Sequence, residues 1–585
     1  MEPKKRRRIP YGMTNFESIR TEDCYYVDKT HYIPLIEEAN KFFFFIRPRR
    51  FGKTLLLNML THYYDINRAD KFEQLFGGLW IGQHPTKEHN QYLVLFLNFS
   101  MISGDINSYQ ERMDNYCASC YRSFCAKYAH LLPADIMEEY PRQQNAAAEL
   151  EYIARRCAEV GQKLYLIIDE YDHFTNDILA HPELELQYKG ETHGVGAYRV
   201  FFNAVKSGTS TGIERMFVTG VSPVTMDDLT SGFNIGSNYT TDSAFNAMMG
   251  FSETEVRQMI DYYQQSGVVR HTTDELIQIM KPWYDNYCFS LSSLGESTLF
   301  NSDMVLYFMS SYLWNNGQLP EHMIDSNIRT DYNKLRMLIR KDKNFEHDAS
   351  VIQQIVEAGQ IVAELKLSFP AEKVADTNNF VSLLYYFGML TIVGKKRGGI
   401  LLRIPNYTVR EQLYGYLLES YSEAELSLDS YHDRDKEVNM AFDGEWRPYF
   451  EAIADALKRF SSHRDKQKGE AYVHGFTLAQ TCQSRLYLPH SELDAGVDHG
   501  YADIYLEPLL GIYPDIEHSY IIELKYRRST ATDAQVEQAR QEGIQQALRY
   551  SESELVKRTV GHTTLHRLVI VWRGMEMAVC EEIYV

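Results

Sequence analysis

A chain of 585 residues is too long to fold around one hydrophobic core, so about three domains are expected. Its 44% hydrophobic and 24% charged residues are those of an ordinary globular protein, and no apolar run approaches the roughly 20 residues that cross a bilayer. The net charge of −19 argues against nonspecific wrapping of nucleic acid but leaves room for a local basic groove or a metal-dependent site.

The N-terminus, MEPKKRRRIPYG, is basic but lacks the apolar stretch of a secretory signal, and KKRRR reads as a solvated tail before it reads as a nuclear-localisation or nucleic-acid arm. From residue 11 to about 222, short runs that are apolar on both faces (KFFFFI, YLVLFLNFS, KLYLIIDEYD, ERMFVTGVS) alternate with helical stretches such as 54–64 and 146–160. That rhythm predicts an α/β fold around a buried parallel sheet. Cys117, Cys120 and Cys125 are spaced like part of a metal knuckle, yet nothing nearby completes four ligands; YCASCYRSFCAKY reads as an amphipathic helix whose thiols pack. Eight cysteines in so long a chain suggest a reduced, cytoplasmic compartment.

Within the first strand–helix unit, RPRRFGKTLLL ends a buried run and opens a helix, so backbone N–H groups and the helix dipole would face a phosphate. Gly52 then supplies the turn, Lys53 reaches the β- and γ-phosphates, and the Thr54 hydroxyl ligates Mg²⁺. The triplet alone is weak, since chance would give roughly 0.1 of them in a chain this long. A usual glycine-rich loop also wants a second glycine where this chain has Arg47. One reading makes the loop a scaffold that binds no nucleotide. The other gives Arg47-Pro48 a turn-forming role and adds Arg47 and Arg50 to the charge near the phosphates, with Arg50 mattering more than Arg49. Leu164 to Asp169 supplies a buried strand ending in acids: Asp169 to hold Mg²⁺, Glu170 to act as general base on water. Thr219, at the end of another buried strand, is placed either to sense the γ-phosphate or simply to end the strand with a polar group.

Helical periodicity dominates from about 250 to 410 (SETEVRQMIDYYQQ, DMVLYFMSSYLW, NKLRMLIRK, VSLLYYFGML), and the strand pair in LTIVGKKRGGILLRIPN makes a winged-helix element conceivable. The polar stretch SEAELSLDSYHDRDKE is the best linker candidate. The last part gives a long helix, strands near LYLPHSEL, YADIYLEPL and YIIELKYR, the helix DAQVEQARQEGIQQALRY, and two closing strands. Asp503 on one strand and Glu523 and Lys525 two apart on the next form the D…ExK pattern of a metal-dependent nuclease: alternation puts Glu523 and Lys525 on one face. Asp503 and Glu523 would bind Mg²⁺ while Lys525 orients or deprotonates the attacking water. Glu470 and Glu492 are further candidate ligands.

The motifs IPYGMTNFESIRTEDCYYVDKTHYI, RPRRFGKTLLLNML, LIIDEYD, TGVSPV, WYDNYCFS, LFNSDMVLYF and IPNYTVRE together resemble the AAA-ATPase-like family of bacterial proteins, many of which carry a C-terminal PD-(D/E)xK nuclease-superfamily domain. The resemblance implies an α/β architecture in three parts: a P-loop NTPase parallel-sheet core at 1–245, a mostly helical region with a winged-helix option at 246–420, a linker at 421–440, and a restriction-endonuclease-like α/β domain at 441–585. It implies ATP and Mg²⁺ at Lys53, Thr54, Asp169 and Glu170, Mg²⁺ at the second site, nucleic acid as partner (DNA ahead of RNA), no membrane, and an open question of oligomerisation. Gln546 matches a position the family often fills with Gln. Asn286 and Cys288 depart from it, standing where Gly and Arg are more common. The expected activity is an ATPase coupled to a nuclease; the alternative is an ATP-driven switch whose last domain binds nucleic acid without cutting it.

Overall fold

The computed structural model describes the chain except residues 1–5, 103–108, 174–195, 225–235, 266, 297, 326–350, 371–372, 375, 414–429, 461–469, 482–483, 485, 495–500 and 585. It divides into two compact units, Met1–Leu338 with Val362–Pro405 and Ile339–Ile361 with Asn406–Val585.

The first unit is built on strands β1 (Phe42–Ile46), β2 (Leu93–Asn98), β3 (Leu164–Asp169), β4 (Ile213–Gly220) and β5 (Ser237–Asn238), in the order β2-β3-β4-β1-β5. Every pairing is parallel. The four apolar runs predicted as strands are β1 to β4, and β3 is buried at every residue because helices cover both faces. The helices Lys53–Tyr64 and Ala146–Glu159 fall where periodicity put them; Asn145 starts the second by accepting from Ala148 N at 3.0 Å. The cysteine motif lies on the helix Tyr109–Lys127, with Cys117 and Cys125 buried and all three thiols free, so the packing reading holds.

The strands β6 (Phe251–Ser252) and β7 (Leu299–Phe300) pair antiparallel, and in chain order they stand among the helices Glu253–Gln264, Thr273–Tyr284 and Ser302–Trp314. The first two of these helices begin with full capping boxes, Ser252 with Glu255 and Thr272 with Glu275. After β8 (Gln360–Ala363), the helix Thr377–Tyr386 leads into the hairpin β9 (Thr391–Lys396) and β10 (Gly399–Arg403). Arg397 and Gly398 turn it with φ of 50° and 83°, the left-handed pair a two-residue hairpin needs. The stretch NKLRMLIRK lies outside the described residues.

In the second unit β11 (Tyr487–Asp494), β12 (Tyr501–Pro508), β13 (His518–Arg527), β14 (Thr564–Arg573) and β15 (Glu576–Glu582) run in sequence order. Only β13 and β14 are parallel, so the chain between them must cross over, and the helix Asp533–Tyr550 does this. Its Val536, Ala539 and Ala547 pack with Tyr505, Ile521 and Val569 of the sheet. One expectation needs correction. The linker set at 421–440 is helical in its second half: a helix spans Ser430–Asp443, because Met440 and Ala441 are buried and their carbonyls accept from Tyr520 Oη at 2.6 Å and Glu517 N at 3.1 Å. Beyond it the described residues form the helices Arg447–Phe460 and Glu470–Thr481.

Candidate active sites

The loop between β1 and the helix Lys53–Tyr64 turns without the usual glycines. Gly52 caps the helix at φ 89°, and Arg50, a non-glycine, also takes a left-handed φ of 65°. Arg47 does not reach the expected phosphate position. Its guanidinium is buried under the sheet end, donating to the carbonyls of Thr240 (2.7 Å), Ile46 (3.0 Å), Phe245 (3.2 Å) and Asn246 (3.3 Å). Phe45 and Phe289 sandwich it, with ring centroids 4.1 and 4.3 Å from Cζ. Burial lowers its pKa only to about 10, so it remains a cation that fixes the loop from below. Lys53, in contrast, is aimed into the loop: its Nζ donates to the carbonyls of Pro48 (3.0 Å) and Arg47 (3.1 Å). Burial lowers its pKa, while Glu170 and Asp169 pull it back up.

Because β4 lies between β1 and β3, the ends of the loop strand and the acidic strand flank a crevice at the carboxyl edge of the sheet. Across it the Thr54 hydroxyl donates to Asp169 Oδ2 at 2.8 Å. Asp169 is fully buried, and burial, reinforced by Glu170, pushes its carboxyl up to about 6. A buried carboxylate with a hydroxyl beside it is a donor set that fits a hard divalent cation. Glu170 follows with φ 51° and donates its N–H to Asp169 Oδ1 at 3.0 Å. That kink is pinned by Asp172, which the sequence reading passed over. Its buried carboxylate accepts from Val221 N and Ser222 N, the latter at 2.5 Å. A Cβ on Gly220 would fall 2.1 Å from Asp172 Oδ1, so only glycine lets β4 close on this turn. Thr219 is likewise structural here: buried, it donates its hydroxyl to the Phe45 carbonyl at 2.6 Å and does not line the cavity.

The crevice opens into a cavity of about 530 Å³, lined by Gly52, Lys53, Thr54 and Glu170 together with Arg49 and Arg50. Residues outside the sheet also contribute: Met13, Thr14 and Lys29 from the N-terminal segment, and Asp303 from the helix Ser302–Trp314. Lys29 is buried against Glu255 at 2.7 Å. Asn286, one of the two departures from the family pattern, has φ 77°, a conformation glycine adopts freely and Asn tolerates best among other residues. Cys288 N donates to Thr391 Oγ1 at 2.8 Å.

In the second unit the register of β12 on β13 pairs Ile504 with Ile522, next to Glu523. The register of β11 on β12 pairs Ser491 with Ile504 and Leu493 with Ala502. The side chains of Glu470, Glu492 and Asp503 lie outside the described residues. Glu523 is fully buried, and Lys525 Nζ donates to its Oε1 at 2.6 Å. Behind them the helix Asp533–Tyr550 comes close because it carries Gly543, where a Cβ would be 2.9 Å from Val569 Cγ1 and 3.5 Å from Glu523 Cγ. One turn on, Gln546 has a buried Oε1 with no hydrogen-bond partner among the described residues.

Residues 10–230 match the family model described as "Predicted AAA-ATPase", and residues 468–582 match that of the "PD-(D/E)XK nuclease superfamily". A protein of Azotobacter chroococcum mcd 1, "Uncharacterized protein in vnfD 5'region", is 25% identical over 434 residues, 71% of each chain. The solved structure of the ORC2 protein of Aeropyrum pernix aligns with 67% of this chain and 91% of its own at 9% identity, with a TM-score of only 0.29. The chain thus joins a segment similar to predicted AAA-ATPases to one similar to the PD-(D/E)XK nuclease superfamily.

Proposed function

We propose that the chain binds ATP in the cavity at the carboxyl edge of β1 and β3, hydrolyses it, and couples that cycle to metal-dependent cleavage of nucleic-acid phosphodiesters, DNA ahead of RNA, at β12 and β13. The observation that carries the first half is the Thr54–Asp169 hydrogen bond of 2.8 Å, which brings the loop hydroxyl and the acidic strand end together beside the Lys53 ammonium. Thr54 and Asp169 would hold Mg²⁺, which neutralises phosphate charge when bound. Lys53 exchanges its two carbonyl contacts for phosphate oxygens. Glu170, set into the cavity by its left-handed turn, accepts the proton of the attacking water.

For the second half, Asp503 and Glu523 would hold the divalent cation, and Lys525 positions the attacking water. The buried Glu523 carboxylate and the unsatisfied Gln546 oxygen are a donor set that fits such an ion. Purified protein with ATP and Mg²⁺ tests the pair. Phosphate release should fall at least about a hundredfold in Glu170→Gln, and nucleic-acid cleavage by a similar factor in Glu523→Gln. Release and cleavage that survive both substitutions would reject the reading.

A further inference from the structure

Arg50 is gripped by the start of one helix. Its carbonyl accepts from Ser302 Oγ at 3.2 Å and from Asp303 N at 3.3 Å, and its Nη1 donates to Asp303 Oδ2 at 2.7 Å. The helix end is itself fixed, since Asn301 Oδ1 accepts from Asp303 N at 3.2 Å and Met304 N at 3.3 Å. A non-glycine residue at φ 65° persists only where its surroundings over-determine it, and here one helix N-terminus holds both its backbone and its side chain. Arg50 and Asp303 both line the nucleotide cavity, their side chains 24% and 20% exposed.

The other deep cations of that cavity are engaged differently. Lys53 donates to loop carbonyls, which are neutral, and Lys29 pairs with Glu255 at the cap of the helix Glu253–Gln264. Arg50 is paired with a carboxylate that faces the same space a polyphosphate would enter. A phosphate brings stronger acceptor character and more charge than one carboxylate, yet it must draw the guanidinium partly away from Asp303.

We propose that Asp303 competes with the nucleotide's phosphates for Arg50, so that Asp303 sets nucleotide affinity and the helix Ser302–Trp314 registers whether the cavity is filled. This rests on the ATP-binding reading above. Asp303→Asn keeps the backbone contacts and the side-chain shape while removing the charge. It should bind a non-hydrolysable ATP analogue with Mg²⁺ about three- to tenfold more tightly than the wild type, the size expected for releasing one partly buried ion pair. Asp303→Glu should return affinity to the wild-type value. In an Arg50→Ala background the gain from Asp303→Asn should vanish.

Calorimetric titration of the full chain reads these affinities, with the nucleotide-free melting temperature recorded for each variant. A gain that persists without Arg50 would make Asp303 a simple repulsive charge and overturn the proposal. Unchanged or weaker binding by Asp303→Asn, in a protein whose wild type binds and whose Lys53→Ala variant does not, would overturn the proposal and leave the ATP site standing. Absence of binding by the wild type would overturn both.

Discussion

At the level of single residues, the two sites are made of charges buried on purpose-built backbone, and the sequence exposed some of them better than others. That Lys53, Thr54, Asp169 and Glu170 come together was legible, because a strand opening into Gly-Lys-Thr and a buried strand ending in acids point to one sheet edge. Arg47 and Thr219 were read as phosphate ligands on the same logic, and their surroundings decide otherwise. Arg47 finds four carbonyls and two aromatic faces beneath the sheet, and Thr219 spends its hydroxyl on Phe45. Apart from Ile46 and Phe45, which are local to Arg47, these partners come from residues about 170 to 240 positions away, which no local pattern reveals.

Glu149 is a residue-scale case of a different kind. It is buried on the helix Ala146–Glu159 with Oε2 lacking a hydrogen-bond partner among the described residues, and burial, with Asp114 adding to it, pushes its carboxyl up to about 7 from 4.5. Between those two values the folded state holds a proton that the unfolded chain releases, so stability falls as pH rises through this window. Glu149→Gln should therefore match the wild type near pH 4 and exceed it by about 1–2 kcal/mol at pH 8. Urea denaturation at the two pH values measures the gap, and a gap that does not grow with pH would contradict the assignment.

At the scale of elements, periodicity found the strands and most helices because burial on both faces and capping residues write strong local signals. It missed the helix Ser430–Asp443, whose mean composition is polar. That helix is held by a few anchors, Met440 and Ala441 against β13, and not by a continuous apolar stripe. The same scale explains Gly543, an interior helix glycine whose intrinsic cost of about 1 kcal/mol is offset by close approach to Glu523 and Val569. A leucine there would force the helix Asp533–Tyr550 off the sheet. Gly543→Leu should lower the unfolding free energy of the second unit by roughly 1–3 kcal/mol and abolish cleavage, while Lys53-dependent nucleotide binding is retained. Loss of nucleotide binding together with cleavage would contradict the placement of this glycine's role in the second unit.

For the whole molecule, the two compact units do not follow the order of the chain: Ile339–Ile361 groups with the C-terminal unit, and Val362–Pro405 returns to the first. Sequence rhythm divides a chain into consecutive blocks and has no means of showing such an exchange. The first unit also draws part of its cavity from the helical stretch, through Asp303 and the helix that carries it. An α/β fold and the convergence of the loop with the acidic strand end were thus readable from the sequence, and what lay beyond it was how non-consecutive segments complete one cavity. The account rests on that cavity being a working nucleotide site with an unusual loop. Titration of the full chain with a non-hydrolysable ATP analogue and Mg²⁺ tests this most directly. Binding with a Kd on the order of micromolar, weakened at least about a hundredfold by Lys53→Ala, is the predicted result. Equal affinity in the two proteins, or none in either, would contradict it.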